Sequence, residues 1–147
     1  MQNNLQAAKK LLDTGEYTCV LCKDSNVFTS TERGVKPLIE WLDSENDFNG
    51  YAAADKVVGK AAAFLYVLLK VGSVYAKVIS EPAADTLKQN GIPVAYEKLV
   101  KAIKNRKGDG FCPMEQAVRD AIRADKARLL IEQKLKALQS NKKSGGL

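Results

Sequence analysis

Residues 74–79, Val-Tyr-Ala-Lys-Val-Ile, constrain the fold of this chain more than any other stretch. They are apolar almost throughout. A strand that is apolar on both faces has to be covered on both, so it belongs at the centre of a sheet flanked by helices. The flanking segments read that way. Asp55 is a natural N-cap and predicts a helix to about Lys70, with Val57, Val58, Ala61, Ala62, Leu65, Leu68 and Leu69 forming one apolar stripe. Gly72 ends it. After the strand, Ser80 caps a second helix with Pro82 in its first turn, and Asn90-Gly91 stops it.

The rest of the chain fits around this unit. Asn3 or Asn4 caps a first helix that carries Leu5, Ala8 and Leu12 and stops near Gly15. Tyr17–Cys22 and Val27–Ser30 read as strands joined across Lys-Asp-Ser-Asn, a hairpin. Arg33-Gly34 is a turn. Pro37 opens a helix with Leu38, Ile39, Trp41 and Leu42, and Ser44–Gly50 is a polar loop. Pro93–Tyr96 begins another strand, followed by a helical or mixed stretch with Leu99, Val100 and Ile103. Asn105–Gly110 is a turn-rich loop. Cys112-Pro113 opens a last helix to about Leu138, with a break near Ala124–Asp125. An antiparallel hairpin followed by strands separated by helices predicts a three-layer α/β/α sandwich with a mixed sheet.

At 147 residues the chain has room for one domain with a full core. We assign residues 1–124 to that α/β domain and 125–147 to a basic C-terminal helix or tail. The tail holds +4 of the formal +6 net charge, which leaves +2 on the domain. A nearly neutral body with a basic tail is a weak nucleic-acid signature. The longest apolar run, Ala61–Leu69, is far short of a bilayer span. No leader-like segment is read at the N-terminus, so a soluble, cytoplasmic protein is expected.

The chain contains no histidine. That excludes Ser-His-Asp and Cys-His catalysis and any imidazole ligand or base. Cys19 and Cys22 have C-x-x-C spacing but lie in a strand-like neighbourhood. Residues three apart on a strand point to opposite faces, so the pair reads as two small buried hydrophobes. Gly59-Lys60 looks like the end of a phosphate-binding loop. That loop needs a glycine where Ala54 stands and a hydroxyl where Ala61 stands, and the helical pattern places Gly59 inside a helix. The phosphate loop is therefore rejected. Lys56 and Lys60, four apart at the positive end of the predicted helix, form an anion pocket with Asp55 or simply face water. Cys112, just before Pro113, is either a thiol activated at a helix N-terminus or a weak cap, with Glu115 at capping-box spacing.

The stretches YTCVL, STERGVKPL, AADKVVGKAAAFLYVL, VYAKVISEPA and NRKGDGFCPMEQAV resemble a bacterial family known as domain of unknown function 1893. That family in turn resembles the cytidine deaminase-like fold. The resemblance covers the chain to about residue 122 and implies a deaminase-like sandwich, a fold that often forms homo-oligomers. Zinc deaminases carry His or Cys followed by Ala-Glu at one core helix start and Pro-Cys-x-x-Cys at the next. The helix starts matched to these, Asp55-Lys56 and Ser80-Glu81-Pro82, offer no such ligands. The resemblance therefore implies a pocket without zinc, and no metal or cofactor is expected.

The expectation is a small anionic or nucleotide-like ligand held where two helix N-termini meet. Lys56, Lys60, Ser80 and Glu81 are the candidate binding residues. Cys112, Asp55 and Glu115 are the candidates for a metal-free, Cys-dependent reaction. A non-catalytic sensor is the alternative, and nucleic-acid binding through the basic tail is the third reading.

Overall fold

The computed structural model describes residues 2–32, 34–104 and 112–145. Arg33 of the predicted turn and the predicted loop Asn105–Gly110 lie outside the described residues, as do the last two residues of the tail. Eleven elements follow in order: α1 Gln2–Thr14, β1 Cys19–Lys23, β2 Asn26–Ser30, α2 Lys36–Asp43, β3 Ala52–Val58, α3 Lys60–Leu69, β4 Ser73–Ser80, α4 Glu81–Gln89, β5 Val94–Val100, α5 Pro113–Ala117 and α6 Ala124–Gly145. The sheet is mixed, with strand order β2-β1-β3-β4-β5. β1 is antiparallel to both β2 and β3, while β3, β4 and β5 are parallel.

The hairpin forms as expected, with Cys22 opposite Val27 and Asp24 in the left-handed region at φ 55°. Asp tolerates that conformation better than most residues, which suits a tight turn. β4 is interior as expected, between β3 and β5, with Val74, Ala76 and Ile79 fully buried, although the central strand is β3. Among the described residues, α1 alone covers one face. Its Ala8 and Leu12 pack on Val20, Cys22, Ala52, Ala54 and Tyr75. The other face carries the larger core, built on Cys19, Leu21, Ala53, Val58, Val74 and Ala76, with α2, α3, α4, α5 and α6 supplying its outer layer. The architecture is α/β with a mixed sheet between helical layers.

The sequence expectation fails at the centre of this sheet. Residues 52–58 are a strand, not the first turns of a helix, and α3 begins only at Lys60. The apolar stripe counted from Val57 merged a strand end with the helix behind it. Three alanines disguise β3, because alanine is depleted in strands and favoured in helices. Burial on both faces overrides that preference: Ala52 and Ala54 lie under α1, and Ala53 lies on the larger core. β5 also runs on through Leu99 and Val100, where a helical or mixed stretch was expected. The last helix is two: α5 stops at Ala117 and α6 starts at Ala124, so the break begins earlier than predicted. The first half of α6 is tied to the domain by buried Ala127 and Ile131 and by an Arg128–Asp43 ion pair at 2.6 Å.

Candidate functional site at the carboxyl ends of the parallel strands

In sheets of this kind ligands gather outside the carboxyl ends of parallel strands. Here that edge is formed by the ends of β3 and β4, where α3 and α4 begin. The two helix starts are finished differently. At α4, Ser80 is fully buried and its Oγ accepts from the Ala83 N–H at 3.2 Å, a local N-cap. At α3, Gly59 stands at the N-cap with no side chain to offer. The acceptor comes from 55 residues away. Glu115, on α5, takes the Lys60 N–H at 2.6 Å on one carboxylate oxygen and the Ala61 N–H at 3.0 Å on the other. Charge-assisted bonds to unpaired N–H groups at a helix N-terminus are the strong kind.

Gly59 makes this possible. Its backbone is ordinary extended chain, at φ −96° and ψ 178°, so no special conformation demands glycine. Space does. A Cβ on Gly59 would lie 2.5 Å from the Glu115 carboxyl carbon. The Lys60 ammonium closes the clasp from the other side. It donates to the Arg119 carbonyl at 2.8 Å and lies 5.7 Å from the Phe64 ring centroid.

Below this edge lies a buried polar chain. Tyr66, from α3, donates its hydroxyl to Asp55 Oδ2 at 2.7 Å, and Cys19 Sγ lies 3.0 Å from the same hydroxyl oxygen. Tyr66 has one hydroxyl proton and spends it on Asp55, so the Cys19 thiol is the donor to Tyr66. Cys19 and Asp55 face each other across the β1–β3 ladder. Burial lifts the Asp55 carboxyl from 3.8 to about 6. The Tyr66 hydrogen bond, then those from the Val57 and Lys56 N–H groups, oppose the rise. Burial first, and then the charge of Asp55, pushes both the Cys19 thiol and the Tyr66 phenol well above their ordinary ranges. Both therefore stay neutral at physiological pH.

Two cavities open at this edge. The larger, about 970 Å³, is lined by Cys19, Asp55 and Lys56 on the sheet side and by Lys104, Cys112 and Glu115 opposite. The smaller, about 380 Å³, is lined by Lys60, Ser80, Glu115 and Arg119 among others. Glu115 and Ile103 line both. The larger volume falls in the range of small-molecule sites.

The chain matches the TM1506 family, a domain of unknown function (DUF1893), over residues 7–135. The chain belongs to the DUF1893 family. A crystal structure of a DUF1893 family protein, TM1506 from Thermotoga maritima, is similar at 26% identity and a TM-score of 0.82, covering 93% of this chain and 91% of that one. No curated protein matches.

Within this DUF1893 member the predicted site residues divide. Asp55, Lys56, Cys112 and Glu115 line the larger cavity, Lys60 and Ser80 line the smaller one with Glu115, and Glu81 is exposed and lines neither. Asp55 and Lys56 are in β3 and not at a helix start, so the helix start to set against the deaminase pattern is Gly59-Lys60. Lys56 and Lys60 accordingly share no helix face. Glu115 reaches α3 instead of closing a box on Cys112, whose side chain makes no cap hydrogen bond. Cys19 and Cys22 do sit on opposite faces, in the two separate cores. Sequence reasoning missed Tyr66 and the polar role of Cys19. The available signal was an aspartate inside an alanine run, which on a strand must find a buried donor.

Proposed function

We propose that this protein binds a small anionic or nucleotide-like molecule in the larger cavity at the carboxyl end of β3. The observation that carries the reading is the cavity itself: about 970 Å³, with a buried carboxylate on its sheet side and Lys56 and Lys104 on its walls. A deaminase-like ancestry for the sandwich is part of the same reading. It is supported by the mixed sheet with its antiparallel hairpin and by two helices starting side by side at one edge. Both helix N-termini are already capped by the chain's own Ser80 and Glu115. The ligand's anionic group is therefore assigned to the lysines of the cavity wall, which hold anions as point charges. Among the described residues no helix is long and apolar enough to cross a membrane. A cytoplasmic setting, with three free cysteines, fits the proposal.

Between binding with catalysis and binding alone, the geometry favours binding alone. Glu115 is occupied at α3, and Asp55 bonds Tyr66 and the Val57 N–H; neither bonds Cys112 among the described contacts. A nucleophilic cysteine is activated by a base within reach or by a helix N-terminus, and the helix behind Cys112, α5, has only five residues to supply one.

Thermal shift of the full chain against nucleosides, nucleotides and phosphorylated sugars tests the reading. A ligand at a hundred times its Kd stabilises by about 2.7 kcal/mol, a shift of several degrees. Absence of any stabilising compound across those three classes sinks it.

A further inference from the structure

Asp55 is an anomaly that the binding proposal does not by itself explain. Its side chain lies at the base of the larger cavity and is buried, with 9% exposure. Taking a carboxylate out of water is costly unless a cation or several donors replace the lost hydration. Among the described residues no lysine or arginine nitrogen lies within 4 Å of it. Its partners are neutral: the Tyr66 hydroxyl on Oδ2, the Val57 N–H on Oδ1 at 3.3 Å, and the Lys56 N–H, which it shares with the Thr18 carbonyl at 3.2 Å. A carboxylate offers about four acceptor sites. With three donors among the described residues, about one site is left unfilled, on a group that lines an open cavity.

We propose, on the reading that this cavity binds a small molecule, that the ligand carries an amino-substituted, amidine-like N–H edge that docks on Asp55. An aminated nucleobase or another amino-heterocycle presents such an edge. Tyr66 and Cys19 then act as positioning residues. Tyr66 holds one carboxylate oxygen, and the Cys19 thiol fixes the direction of the Tyr66 hydroxyl. Among the described residues, the other charged side chains around this cavity are Lys56, Lys104, Glu32 and Glu115. The lysines suit an anionic remainder of the same molecule, which joins the two halves of a nucleotide-like ligand. Docking uses the ionised carboxylate, so affinity falls as pH drops through about 6, where Asp55 takes up its proton.

The test is calorimetric titration of the full-length protein at pH 7.5 with two matched pairs. These are 2-aminobenzimidazole against benzimidazole, and guanosine against inosine; each pair differs by one amino group. The expected result is binding at least tenfold tighter for the amino member, the scale of a hydrogen bond to a charged group. That preference disappears in Asp55→Asn, narrows in Tyr66→Phe, which releases the oxygen Tyr66 holds, and persists in Glu81→Gln, an exposed residue outside both cavities; thermal melts confirm that all three variants fold. Equal affinity within the pairs, a preference that survives Asp55→Asn, or no binding by either amino compound overturns the inference. The broader binding proposal stands through all three outcomes if nucleotides or phosphorylated sugars still stabilise the protein, and falls with it if none does.

Discussion

The starts of α3 and α4 lie at the carboxyl ends of adjacent parallel strands, yet they are finished by opposite means. α4 is capped from within, by Ser80 three residues before the N–H it accepts. α3 has a glycine at the same place and borrows Glu115 from a helix 55 residues further along. A local cap finishes one helix. A borrowed cap ties two elements together, and here it ties α5 across the end of the sheet where the cavities lie. The difference teaches where plasticity can be built in: α4 keeps its cap whatever α5 does, whereas the N-terminus of α3 and the position of α5 stand or fall together.

The sharpest way to break this contrast is Gly59→Ala. The added carbon cannot coexist with the carboxylate at 2.5 Å, so the Glu115 side chain has to swing off the α3 N–H groups, and about 2–3 kcal/mol should be lost in chemical denaturation. Adding Glu115→Ala to that variant should cost much less than the sum of the two single changes, because both act on one contact. A Gly59→Ala protein within about 1 kcal/mol of wild type would falsify the clasp.

Asp55, at the middle of β3 and four residues before Gly59, gives the next effect. Its folded-state pKa lies above its unfolded value, so the folded protein holds the proton to higher pH. Between pH 4 and about 6 the folded state binds more protons than the unfolded one, and stability therefore falls as pH rises through that window. The full term is up to about 3 kcal/mol, present as a penalty above pH 6 and relieved below pH 4. Asp55→Asn should remove it, so that the difference from wild type grows between pH 4 and 7. A difference flat with pH would show that the carboxylate is not desolvated as described.

Glu115→Ala should cost about 2 kcal/mol, from two N–H groups left without their charged acceptor. Ser80→Ala should cost about 1 kcal/mol, with no change in hydrogen exchange at α5, whereas Glu115→Ala should raise exchange in both α3 and α5. Exchange rising in α3 alone would mean that the clasp holds nothing on its far side. The smallest effect is Lys60→Met, within about 0.5 kcal/mol, since a partly exposed ammonium bonded to one carbonyl contributes little.

The same contrast explains what could be read in the sequence. Ser80 as a cap, the Lys23–Asn26 hairpin and the burial of β4 rest on residues close together in the chain, and all three were legible. β3 was not. An alanine run carries a helical propensity that only tertiary burial overrides, and with β3 unseen, Asp55 and Lys56 were placed at a helix start. The Gly59-Lys60 pair resembles a phosphate loop for a physical reason: it follows a strand, precedes a helix and admits an anion. The anion is the chain's own Glu115, and no spacing rule reaches 55 residues to find it. Cys112 and Glu115 are legible as residues at a helix start, but the partner of Glu115 depends on the fold.

The central claim is that a small molecule occupies the cavity between β3 and the α5 segment. Backbone amide NMR of the full chain, titrated with the nucleotides and phosphorylated sugars of the thermal screen, tests it most directly. The account predicts saturable shifts concentrated at Cys19, Asp55–Ala61 and Cys112–Glu115, with α1 and the Ser44–Gly50 loop unmoved. Shifts confined to the basic half of α6, or no saturable shift at all, would contradict it.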